Sequence, residues 1–119
     1  MQRFTNIRAW QRSHALALDI YRLTDTFPPR ERFGITAQLR RSVTSVAANI
    51  AEGAKRRSQR DYGRLLNIAE GSLAETEALL TLSRDLGLAT AGRIDPLIGE
   101  AEEISRMLNA LYESVVSAR

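Results

Sequence analysis

Apolar residues recur along the chain at spacings of three and four, and no stretch alternates as a strand would. A few Gly and Pro residues separate four such periodic stretches, which predicts helices over residues 7–25, 36–51, 59–86 and 96–118. Thr5 or Asn6 is the expected N-cap of the first helix. That helix must stop before Phe27-Pro28-Pro29, because proline lacks an N–H and disfavours a helical predecessor. Residues 30–34 then form a connector with room for one turn. Gly53 suits the left-handed position after the second helix, while Ser58 caps the third and Gly87 stops it. Asp95 and Pro96 read as N-cap and first residue of the fourth helix. All joints are short, so residues 1–119 are predicted to form one all-α domain, an antiparallel up-down-up-down four-helix bundle. The third helix, about 42 Å long at 1.5 Å per residue, should overhang its shorter neighbours.

Each helix carries a core stripe. It is Ile35, Leu39, Val43, Val46 and Ile50 on the second helix, and Tyr62, Leu65, Leu66, Ala69, Leu73, Thr76 and Leu80 on the third. On the fourth it is Leu97, Ala101, Ile104, Leu108, Leu111 and Val115. Two helices carry a surplus. Trp10, Ala17 and Tyr21 lie about 110° around the first helix from Leu16, Ile20 and Leu23. Ile68, Leu79, Leu82 and Leu86 lie about 100° from the main stripe of the third. Two readings fit, a wide core or a self-association surface. The second is favoured because large exposed apolar patches are rare on monomers.

Charge sharpens this picture. The chain has 17 basic and 14 acidic residues, but residues 1–64 hold a net +8 and residues 65–119 a net −5. Sixteen of the cations are arginine, whose planar fork pairs bidentately with phosphate or carboxylate. Lys55, Arg56, Arg57, Arg60 and Arg64 cluster at the joint of the second and third helices, with Arg3, Arg8 and Arg12 able to add to them. Cations beside a helix N-terminus suit phosphate, although no interleaved aromatic ladder accompanies them. The plainer reading of the cluster is a solvated turn. On the second helix Gln38, Arg41, Ser45, Asn49, Glu52 and Arg56 make one polar stripe. It reads first as an interhelical seam in which Glu52 or a neighbouring carboxylate answers Arg41, and second as an anion groove.

Apparatus for catalysis is not legible. His14 is the single histidine, placed four residues after Trp10, and reads as a packed, hydrogen-bonded side chain. Gln11 stands where a di-metal bundle would need Glu, and no Gly-rich phosphate loop occurs. Glu75, Glu77, Glu100, Glu103 and Glu113 read as solvated. No metal, cofactor or catalytic residue is expected. With no cysteine, no apolar leader and no run of roughly 20 apolar residues, a cytoplasmic protein without membrane contact is the expectation.

The run Gln38-Leu39-Arg40-Arg41-Ser42 through Ala48-Asn49-Ile50-Ala51-Glu52-Gly53 resembles a family signature, as do Trp10, His14, Leu16-Ala17 and Tyr21. Phe27-Pro28, Glu70-Gly71-Ser72-Leu73-Ala74-Glu75 and Leu86-Gly87 continue it over roughly residues 4–115. The family is that of the four-helix-bundle proteins of 23S rRNA intervening sequences, similar in turn to the accessory variability protein of diversity-generating retroelements. The resemblance implies a homopentameric ring. In the retroelement branch it also implies a basic surface for nucleic acid and a reverse transcriptase partner. Gln38, Arg41, Asn49 and Glu52 would then be motif positions at structural or subunit contacts, joined at the contact by Leu79, Leu82 and Leu86 of the surplus stripe. Arg40, Lys55, Arg56, Arg57 and Arg60 match the basic region, with Arg64 one turn later. The expectation is a non-enzymatic nucleic-acid-binding or scaffold protein that contacts RNA or DNA through phosphates. Its rival is an interaction module that docks an acidic protein.

Overall fold

The computed structural model describes residues 3–118, and among these every regular element is helical. The helices are α1 (Arg8–Thr24), α2 (Ile35–Ala54), α3 (Gln59–Asp85) and α4 (Ala91–Ser117). Short 3-10 turns at Phe4–Asn6 and Pro29–Glu31 precede α1 and fill the α1–α2 connector. α1 packs on α2 and α4, α3 packs on the same two, and among the described residues the backbones of α1 and α3 do not come close. The helices therefore stand at the corners of a square, with α1 diagonal to α3. The molecule measures 48 × 23 × 20 Å.

The core stripes meet along the middle of that square. Leu16, Ile20, Leu39, Leu66, Leu73 and Ile104 are all buried, each stabilising the fold by about 1.5–3 kcal/mol relative to exposure. Polar groups inside are satisfied. Ser13, Thr24, Thr76 and Ser83 each donate to the carbonyl one turn back. Two hydroxyl pairs, Ser42 with Thr76 and Ser45 with Ser72, both at 2.9 Å, tie α2 to α3. Residue numbers rise on one helix of that pair as they fall on the other.

Three helix ends differ from the sequence reading. Thr5 and Asn6 do not cap α1. Extended Ile7 takes that place without a side-chain cap, because its side chain is buried and packing sets the course of the chain. Gly53 is not a left-handed terminator, since α2 runs on to Ala54. A Cβ at Gly53 would lie 2.8 Å from Cδ1 of Tyr62, so the glycine serves the close approach of α3 to α2. The one positive φ among the described residues is instead at Gly87, the residue read as stopping α3. Nor does α4 begin at Asp95. Thr90 is its N-cap and Pro96 sits inside the helix. Extending the helix buries Ile94 completely and brings Asp95 within 2.9 Å of Arg84, which offsets the proline penalty of about 3 kcal/mol. As a result α4 has 27 residues, as many as α3, and α3 overhangs only α1 and α2.

Candidate functional site

Ser58 ends the α2–α3 joint, and its Oγ accepts from the Asp61 backbone N–H at 3.0 Å, which fixes where α3 starts. The basic residues around that cap then fall into two groups. Arg56 pairs with Glu52 and Arg64 with Asp61, both at 3.5 Å on the exposed surface, where such pairs are worth little. Lys55, Arg57 and Arg60 are exposed and make no ion pair or hydrogen bond among the described residues. The start of α1 lies at the same end, because Phe4–Asn6 touches α2 while Arg8 and Ala9 share a groove with Met107 and Leu111 of α4. Arg3 and Arg8 are exposed there as well.

Arg12 and Arg40 do not join this cluster. Arg12 forks onto Glu100 of α4 at 2.6 and 2.7 Å, and that bond holds its pKa above the ordinary value. Glu100 is thereby a partner in a bidentate pair rather than a solvated carboxylate. Arg40 is about 22 Å from the joint along α2. There it lies over the Tyr21 ring at 4.5 Å and bonds Thr24 Oγ1 and Asp25, both at 2.9 Å.

The polar stripe of α2 is a seam only in part. Asn49 donates to the Ser45 carbonyl at 2.8 Å and to Ser45 Oγ at 3.0 Å, and Ser45 reaches Ser72. Glu52 is taken by Arg56. Arg41 and Gln38 stay exposed, and Arg41 has no carboxylate partner among the described residues. Beside this stripe the surplus face of α3 also faces outward. Ile68 is 43% exposed, Leu82 47% and Leu86 59%, while Leu79 is half-buried. On α1, Leu16, Ile20 and Leu23 form the core, whereas Tyr21 is exposed and Trp10 and Ala17 are half-buried. Leu18 and Phe33, at 46% and 89% exposure, are apolar surface that helical spacing did not single out.

His14 is neither buried nor hydrogen-bonded among the described residues. Its exposed ring stacks on Trp10 at 4.8 Å, and Phe4 meets Trp10 edge-on at 5.0 Å. Among the described residues no group of three His, Cys, Asp or Glu is placed to hold a metal ion. Among the described residues no helix is long and apolar enough to cross a membrane.

Glu77 is not fully solvated either. Desolvation, and then the neighbouring charge of Glu102, push its pKa up. A raised folded-state pKa contributes stability below the ordinary carboxylate range, and that contribution is lost as pH rises through the folded value. Glu77→Gln is therefore expected to raise the melting temperature at pH 7 and to lose that advantage near pH 4, as read by circular dichroism.

The fold and this surface together define a helical-bundle protein with one basic end and an outward apolar face on α3, while Trp10 and Ala17 of α1 pack against the core. Residues 5–110 match the 23S rRNA-intervening sequence protein family, and the chain belongs to it. It is similar to a protein of unknown function from the S23 ribosomal protein family of Bacteroides thetaiotaomicron, known from a crystal structure. The TM-score is 0.79 at 27% identity, covering 88% of this chain and 98% of that one. No curated protein matches the sequence.

Proposed function

We propose that the protein is a non-enzymatic nucleic-acid-binding or scaffold protein that works as a homo-oligomer and grips phosphates with the basic end of the bundle. The observation that carries this reading is the group of exposed, unpaired cations Lys55, Arg57 and Arg60 around the α2–α3 joint, with Arg3 and Arg8 nearby. Cations already neutralised by carboxylates would release few counterions from a polyanion, whereas these three remain available.

In the same reading the protomer is an antiparallel up-down-up-down bundle. Its support is the opposed order of the contacts Ser42–Thr76, Ser45–Ser72 and Gly53–Tyr62. Assembly is supported by exposed apolar side chains on two helices that do not pack on each other, Leu18 and Tyr21 on α1 and Ile68, Leu82 and Leu86 on α3. Two different patches suit a heterologous contact, and such contacts close into rings when the rotation allows. Five copies is the number the family resemblance implies, with Gln38, Arg41 and Leu82 near the contact. A reverse transcriptase as partner rests on the resemblance to the retroelement branch alone.

Filter binding at low salt to RNA, duplex DNA and RNA–DNA hybrid tests the function. At least one is expected to be retained, with affinity that falls steeply as salt rises. Retention of none would remove the reading. A protein partner that survives nuclease treatment in a pull-down would favour the interaction module instead.

A further inference from the structure

Tyr112 is 52 residues from Arg60 in sequence, yet both line one groove between the start of α3 and the end of α4. The groove holds about 450 Å³ and also takes in Asp61, Arg64 and Asn67. Its floor depends on Gly63. A Cβ there would lie 3.0 Å from Val116 Cγ1 and 3.3 Å from Tyr112 Cε2, so the absent side chain lets α4 close on α3 and sets the ring in place. The Tyr112 ring is half-buried, packed against the edge of the core, and neither its hydroxyl nor the Asn67 amide has a partner among the described residues.

We propose that this groove receives one unstacked nucleobase of a single strand, with its ring against Tyr112 and its neighbouring phosphate on Arg60. The proposal rests on the nucleic-acid reading above and narrows it to single strands, loops or frayed ends. An aromatic face stacks any base, and a guanidinium forks onto phosphate. The Asn67 amide and the Asp61 carboxylate supply the acceptors, and Asn67 the donor, that a Watson–Crick edge needs. An intact duplex cannot use such a site, because its bases are stacked on both faces and paired at that edge. The acidic Asp61 also makes the groove a poor seat for a bare phosphate, although Arg64 at 3.5 Å offsets its charge.

The test is fluorescence anisotropy of the full chain with a labelled single-stranded RNA and with the same RNA as a duplex. Wild-type protein is expected to prefer the single strand. Tyr112→Ala is expected to weaken single-strand binding by about 5- to 150-fold and to leave duplex binding unchanged, while Tyr112→Phe keeps wild-type affinity. Since Tyr112→Ala could loosen the α3–α4 end, Tyr112→Trp gives a second readout. Its added fluorescence should be quenched by the single strand, over any change from Trp10 alone in the wild type. Wild-type affinity in Tyr112→Ala, or no quenching in a Tyr112→Trp protein that binds RNA, would overturn the proposal and leave phosphate binding standing. Failure of the wild type to bind either RNA would instead count against the underlying reading.

Discussion

If the protein assembles as proposed, Leu82→Glu is expected to yield a free protomer of 13.3 kDa by light scattering, with its helical content intact. Leu82 is 47% exposed on α3, one turn before exposed Leu86, and has no role in the core of its own protomer. A glutamate there costs the protomer almost nothing, because it remains in water. Buried against a second copy, it would carry an unpaired charge into an apolar contact, a penalty of several kcal/mol per interface. In the proposed ring the penalty recurs at every joint, so dissociation should be complete rather than partial. If wild-type protein is already a 13.3 kDa species, the outward faces of α1 and α3 are not interfaces.

Leu73→Ala should behave in the opposite way. It lies on the same helix, nine residues before Leu82, but only 1% of it is exposed, in the centre of the square. Truncation removes transfer free energy and leaves a cavity that neighbours on the other helices fill only in part. The expected loss is about 2–5 kcal/mol, a large share of the roughly 5–15 kcal/mol that holds a domain of this size folded. A fall in melting temperature of roughly 10 °C or more should follow. A loss below about 1 kcal/mol in chemical denaturation would mean that α3 does not bury this stripe. The two leucines thus separate folding from assembly on one helix.

Helical periodicity was enough to place the four helices, because each has a main apolar stripe that must be covered and few residues that break a helix. The ends were less legible where tertiary contact outweighed local preference. Gly53 looks like a terminator in sequence, but its missing Cβ answers Tyr62 across the joint with α3. Pro96 looks like a helix start, but burial of Ile94 extends α4 beyond it. The basic cluster could be located from the run Lys55-Arg56-Arg57, since its members are neighbours in the chain. Spacing alone could not sort paired cations from unpaired ones. Arg12 is claimed by Glu100, 88 residues away, and Arg40 by Tyr21, Thr24 and Asp25. Tyr112 escaped notice for the same reason: it lies outside the stripe read on the fourth helix, and no spacing ties it to Arg60 and Asn67 until α4 folds back beside them.

The most direct test of the basic end is the salt dependence of nucleic-acid binding, measured on wild-type protein and on an Arg57→Ala/Arg60→Ala double variant. Each phosphate neutralised adds about 0.7–0.9 to the slope of log affinity against log salt. The double variant is expected to bind more weakly at every salt concentration, with a slope shallower by about 1 to 2. Identical slopes and affinities for the two proteins would contradict phosphate binding at this end of the bundle.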